Sequence, residues 1–142
     1  MAPTAIVWEK EIKMSTFGFS FEQFNKAHDF DFDTTKLAEI PAEDRYKSLE
    51  RLYNEAEDDD TVYVIRGAYI NTKSDYVAES PLVATDTCYV NIPHFQLGEI
   101  KAMLADARAI KAINQGKAGF KIVPYEKAGE TYYKAKWVSV RV

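Results

Sequence analysis

The chain has 142 residues, 46% hydrophobic and 28% charged, with a net charge of −4. This is the composition of an ordinary globular protein with one buried core, and it excludes a wholly disordered or fibrous chain. No apolar run approaches the roughly 20 residues that cross a bilayer, and Met1-Ala2-Pro3-Thr4 is not a basic stretch leading into an apolar one, so the expectation is a cytoplasmic protein with no membrane association.

Taken in order, Thr4 to Met14 predicts a short strand with Ile6, Trp8 and Ile12 as its apolar positions. Phe17, Phe19, Phe21 and Phe24 fit a strand leading into a helical turn capped by Ser20. Asp29-Phe30-Asp31-Phe32-Asp33 alternates strictly, which in an extended segment places three carboxylates on one face. Pro41 with Glu43 and Asp44, then Tyr46, Leu49 and Tyr53 at helical spacing, predict a helix over about 42–56, ended by Asp58-Asp59-Asp60.

From Thr61 the character changes to strands: 61–70, a turn at Asn71 to Asp75, then Tyr76 to Ala84 and Thr85 to Ile92, with Pro81 marking an edge or a bulge. Leu97, Ile100, Leu104, Ala107, Ile110 and Ile113 form one apolar stripe, so a long helix is expected over about 95–114 with Gly116 as its C-terminal cap. Gly119 to Glu126 and Thr131 to Val142 then form a hairpin around Lys127-Ala128-Gly129-Glu130. The lone cysteine, Cys88, has no disulfide partner and no neighbouring ligand for zinc; it reads as a small buried hydrophobe, and no cofactor or metal is expected.

Residues 61–142 thus run strand, strand, strand, helix, strand, strand. That is the element order of the OB-fold, although other α+β arrangements share it. The expected architecture is α+β: an OB-like five-stranded antiparallel barrel or sheet, one long helix between strands three and four, and an N-terminal strand and helix. One domain is expected over 1–142, with 1–60 an acidic extension packed on the 61–142 core.

Val90-Asn91-Ile92-Pro93, the helix with Ile100, Met103 and Ala109 to Gly116, then Lys117 to Tyr125 and Tyr132 to Val138, resemble small proteins encoded by phages and prophages of Gram-positive bacteria. Those proteins are similar to OB-type single-stranded-DNA-binding proteins, and the resemblance covers roughly residues 62–138. It implies a non-enzymatic accessory of phage replication or recombination, acting in the bacterial host cytoplasm. The best-known bacterial proteins of this kind carry a disordered acidic C-terminal tail; here Val138 to Val142 is strand-like, so recruitment of partners through such a tail is not expected.

The charge distribution agrees with that implication. Residues 1–60 hold 7 Lys/Arg against 15 Asp/Glu, a net −8, whereas 61–142 hold 11 against 7, a net +4. Sequence-independent binding of a single strand needs cations along the phosphates and aromatic faces for the bases. If 131–138 is extended, Tyr132, Lys134 and Lys136 point one way and Tyr133, Ala135 and Trp137 the other. Tyr133 and Trp137 are expected to pack inward. Tyr132, Lys134 and Lys136, with Lys121, Tyr125 and Lys127 of the neighbouring strand, then form the nucleic-acid surface, and Arg66, Tyr69 and Lys73 extend the groove. The competing reading is half-buried sheet aromatics with solubilising lysines, and a surface arginine at a strand edge. A homodimer or higher oligomer is expected, since one barrel covers only about 4–16 nucleotides.

A different class of function rests on the acidic half. Asp29, Asp31, Asp33, Glu55, Glu57 and Asp58 to Asp60 would imitate DNA phosphates and engage a host or phage protein, as an inhibitor or accessory factor; against this stands a plain solvated acidic face. Catalysis is not expected. His28 and His94 have no Ser or Cys nucleophile motif to act on, and the aspartates lack the spacing of a calcium loop.

Overall fold

The computed structural model describes residues 19–73 and 78–141. The strand expected at Thr4 to Met14, Phe17, and Ser74 and Asp75 of the expected turn lie outside them.

Helix α1 (Phe21–His28) starts where the sequence places it: Ser20 is extended and its Oγ accepts the Gln23 N–H at 3.1 Å. It ends at Asp29, whose φ of 64° is left-handed, with the Phe30 N–H returning to the Asn25 carbonyl. Asp29 is therefore part of a helix cap, and the alternating aspartates do not form a strand. Phe30 turns into the core instead. A short turn, α2 (Thr35–Ala38), follows, started by Asp33, whose Oδ1 accepts from the Thr35 N–H and hydroxyl. Those two bonds hold the Asp33 carboxyl below the usual carboxylate range.

The helix expected over 42–56 is interrupted. It divides into α3 (Ala42–Arg45), a strand β1 (Tyr46–Ser48) and α4 (Leu49–Glu55). The tertiary pairing wins here over local propensity: Tyr46 to Ser48 lie parallel to Tyr89 to Asn91, and Ser48, a better cap than helix interior, accepts the Arg51 N–H at 3.1 Å.

The strand expected over 61–70 also divides, into β2 (Tyr63–Val64) and β3 (Gly67–Asn71), which belong to different sheets. The crossing occupies two residues: the Ile65 N–H bonds Ala118 in one sheet, and the Arg66 N–H bonds Ala84 in the other. After β3 come β4 (Ser80–Ala84) and β5 (Tyr89–Asn91), joined by a turn in which the Thr85 hydroxyl accepts the Cys88 N–H. Pro81 is neither on an edge strand nor in a bulge. It lies in the interior strand β4 at the end of its pairing with β5, where its carbonyl still accepts the Ile92 N–H at 3.0 Å and the ring forgoes only the reciprocal bond.

In place of one long helix there are a 3₁₀ turn (His94–Gln96), α5 (Leu97–Leu104) and α6 (Ala107–Asn114). The break falls at Asp106, which is extended and whose carboxylate caps Arg108. The expected Gly116 cap is present. With φ at 73°, it lets the Gly116 and Lys117 N–H groups return to Ile113 and Ala112. The chain finishes with β6 (Ala118–Lys127) and β7 (Glu130–Ser139).

Among the described residues these strands make two sheets, β1-β5-β4-β3 and β2-β6-β7, with every pairing antiparallel except β1 with β5. The fold is mixed α+β, and the sheets do not close into the single barrel that was expected. The reason is local. β1 takes the edge of β5 that β7 would need for closure, and Gln96 takes the corresponding stretch of β7.

Alternation sends Ala68, Ile70, Val83 and Val90 into a core shared with Ile100, Ile113, Phe120 and Ile122. The opposite residues of the four-stranded sheet, Tyr69, Leu82, Ala84 and Tyr89, pack under the N-terminal segment with Leu37, Phe19, Phe21 and Phe32. That sheet is consequently buried on both faces, and burial of Cys88 in the first core agrees with its small apolar character. None of the described helices is long and apolar enough to cross a membrane.

Gln96 is 2% exposed, and its amide donates to the Ala135 carbonyl at 2.8 Å and accepts the Ala135 N–H at 2.9 Å. Gln96→Ala leaves both backbone groups unpaired and is expected to lower the stability by about 2–4 kcal/mol. Urea unfolding followed by circular dichroism measures it; a loss under about 0.5 kcal/mol would mean that Ala135 needs no such partner.

Candidate nucleic-acid interface

Among the described residues the three-stranded sheet is the one with an open face. Its hairpin pairs Lys121 with Lys136, Val123 with Lys134, Tyr125 with Tyr132 and Lys127 with Glu130, so these side chains share the outer side. Phe120, Ile122, Tyr133, Ala135 and Trp137 point the other way and pack with the core. The split between the two faces of β7 is the one read from the sequence. Trp137 also donates its indole N–H to Glu99 at 2.5 Å, tying the strand to α5.

The hairpin closes through Ala128 and Gly129, at φ 55° and 81°, the left-handed pair of a two-residue turn that matches the twist of its strands. Gly129 takes this conformation freely, whereas Ala128 is strained by its Cβ.

On the outer face the Tyr125 and Tyr132 rings stack at 5.8 Å and 28°. The Lys134 ammonium lies 6.0 Å from the Tyr125 centroid, and Phe95 meets the same ring edge-on at 6.3 Å. Tyr132 is 41% and Phe95 60% exposed. Among the described residues the only other exposed large hydrophobe is Val62, which borders the same face: a Cβ added at Gly119 would come within 3.2 Å of it. Among the described residues no carboxylate lies within ion-pair distance of Lys127, Lys134 or Lys136. Lys121 is 3.7 Å from Asp60, a loosely held pair. Lys121 and Lys136 directly face each other across the strands, a like-charge pairing that works against folding and favours an anion.

Six of the nine residues picked from the sequence therefore come together: Lys121, Tyr125, Lys127, Tyr132, Lys134 and Lys136. The other three do not join them. Tyr69 is fully buried beneath the N-terminal segment, and its hydroxyl donates to Asn25 at 2.8 Å, so it offers no ring to a ligand; burial pushes its phenol well above the usual range. Arg66 grips Asp86 through Nε and Nη2 at 2.9 and 3.2 Å, with its guanidinium set against Gly116, and pins the crossing between the sheets to the end of α6. Lys73 is exposed just past β3, in the other sheet.

Phe95 is the residue that sequence reasoning missed. Its one sequence signal was an aromatic off the apolar stripe of the following helices. Its place beside Tyr125 depends on its neighbour Gln96 holding Ala135, a contact across 39 residues.

The acidic residues fall in two places. Asp29 and Asp31 are tied by their backbones to Asn114, while Asp58 to Asp60 form a turn near Tyr53 and Lys121. Glu55 is taken up by Lys47 and Arg51, which together hold its carboxyl below the ordinary range. Among the described residues no three His, Cys, Asp or Glu side chains are gathered to hold a metal ion. A cleft of about 310 Å³ between the N-terminal segment and α6 includes Arg66, Asp86, Asp33 and Asn114, and these groups are already bonded to one another or to the backbone.

Comparison with protein-family models, with curated proteins and with solved structures finds no match to this chain.

Ala128→Asn is expected to stabilise the protein by about 0.5–1 kcal/mol, because asparagine tolerates the left-handed conformation that alanine resists. A matched pair of thermal melts tests it, and a lowered melting point would contradict the assigned turn.

Proposed function

We propose that the outer face of the β6–β7 hairpin binds single-stranded nucleic acid, DNA first, without regard to sequence. The observation that carries this reading is the stacked Tyr125–Tyr132 pair, extended by Phe95 and set among Lys121, Lys127, Lys134 and Lys136. Bases stack on the rings through faces that all bases possess, and the ammonium groups follow the phosphates. The protein supplies no chemistry in this reading; it holds strands for other machinery, as the phage-protein resemblance implies.

The strand order supports an OB-like core. Residues 63–71 serve both sheets, a meander follows, the helices come next, and the last hairpin pairs back to the first strand. In OB-folds the ligand face centres on strands two and three. Here the N-terminal segment covers that face, with Phe21 stacked on Tyr89 at 4.1 Å, and binding moves to the last hairpin.

A labelled oligo-dT titrated at about 20–50 mM salt is expected to bind at micromolar protein, with log affinity falling against log salt by about 0.7 for each phosphate engaged. The double variant Lys134→Glu/Lys136→Glu should bind at least about tenfold more weakly with a melting point no lower than the parent's, because the change at 136 removes a like-charge pairing with Lys121. Tyr125→Ala/Tyr132→Ala should lose about 1–3 kcal/mol for each base no longer stacked. No binding at low salt would end the proposal.

Asp60→Asn frees Lys121 for a phosphate. The salt slope is expected to steepen by about 0.7 and the affinity to rise. A slope identical to that of the parent protein would place Lys121 outside the strand's path.

A further inference from the structure

The outer face has a neighbour that stacking alone does not use. Where the ends of β1 and β5 approach the start of β7 lies a cavity of about 280 Å³. Leu49 and Ile92, both buried, form its floor; Pro93 and Tyr132 wall it; Glu50 and Asn91 stand exposed on its rim. Tyr132 belongs to both features, so a strand lying along the rings reaches this cavity by turning one base over that side chain.

The lining decides what enters. No Lys or Arg is among its residues, so it does not suit a phosphate, while an apolar floor and wall suit the flat faces of a ring. On the rim, Asn91 offers both a donor and an acceptor, and the Glu50 carboxylate only accepts. Among the described residues Glu50 has no ion-pair partner. A free carboxylate beside a phosphate-binding face weakens binding unless the ligand brings it donors.

Guanine is the base whose pairing edge presents two adjacent donors, N1–H and the N2 amine, next to an acceptor, O6. Adenine and cytosine each present one donor group there, and thymine and uracil a single N–H between two acceptors. We propose that this cavity receives one guanine of the bound strand, its N1–H and N2 amine donated to Glu50 and its O6 accepting from the Asn91 amide. The proposal rests on the single-strand reading of the adjacent face. It adds a preference at one position to otherwise indifferent stacking.

Three labelled strands of equal length test it by fluorescence anisotropy at one salt concentration: all thymine, the same with one central guanine, and the same with inosine there, which keeps N1–H and lacks the amine. The guanine strand is expected to bind about 5- to 50-fold more tightly than the thymine strand, with inosine between, in line with a bidentate base contact. Glu50→Gln should abolish that preference and leave the all-thymine affinity equal to the parent's or up to a few-fold higher, since it removes a repelling charge that lies off the stacking face. Equal affinities for all three strands would overturn the guanine site and leave the stacking face standing. A preference that survives Glu50→Gln would also overturn it, by putting recognition elsewhere. Failure of every strand to bind would remove the single-strand reading and this proposal with it.

Discussion

Gln96 gives β7 the two hydrogen bonds that a neighbouring strand would give at Ala135, and much of the molecule is arranged around that exchange. A strand edge left open recruits other chains, and a buried edge left unpaired costs about 1–3 kcal/mol per orphaned group. One side-chain amide answers both difficulties without a further strand. Because Gln96 lies in the turn that opens the helical segment, the same bonds seat α5 against the hairpin, where Glu99 takes the Trp137 indole N–H. They also set Phe95, one residue earlier, beside Tyr125.

The two sheets divide the work. One is a structural slab, covered on one side by the shared core and on the other by aromatic residues of the N-terminal segment. Its interior polar groups are satisfied in a chain: Tyr69 donates to Asn25, and Asn25 donates to the Phe32 carbonyl, which stitches α1 to the loop that follows it. The other sheet turns only one side inward and leaves the other to solvent. The net acidity of the protein is consequently no guide to its local field. In the first half Asp44 and Glu55 are paired with Lys47 and Arg51, while the last hairpin shows lysines to solvent.

How far the sequence could be read follows from the range of the interactions involved. The alternation of Tyr132 to Trp137 is a local property of an extended chain, and so the two faces of β7 were legible, as were the Ser20 and Gly116 caps. Tyr69 was misplaced because alternation tells which residues share a face and not whether something covers it; its cover comes from the N-terminal segment, Phe19 to Leu37, far earlier in the chain. The break at Tyr46 to Ser48 was hidden for the same reason, since parallel pairing with β5 outweighs a modest helical preference. The stop at Asp106, by contrast, was visible: an aspartate before Ala-Arg-Ala-Ile is a capping signal that the continuous apolar stripe masked. Closure into a barrel turned on which partner reaches each edge first in space, and element order carries no information about that.

The path of residues 63–71 through both sheets has a mechanical meaning. A chain that passes from one sheet to the next without an intervening loop has no slack at the passage. Rotating either sheet against its neighbour must bend the peptide at Ile65 and Arg66, where bonds to Ala118 and Ala84 and the grip on Asp86 resist it. Those bonds hold the angle between the two sheets at the one place where the chain belongs to both.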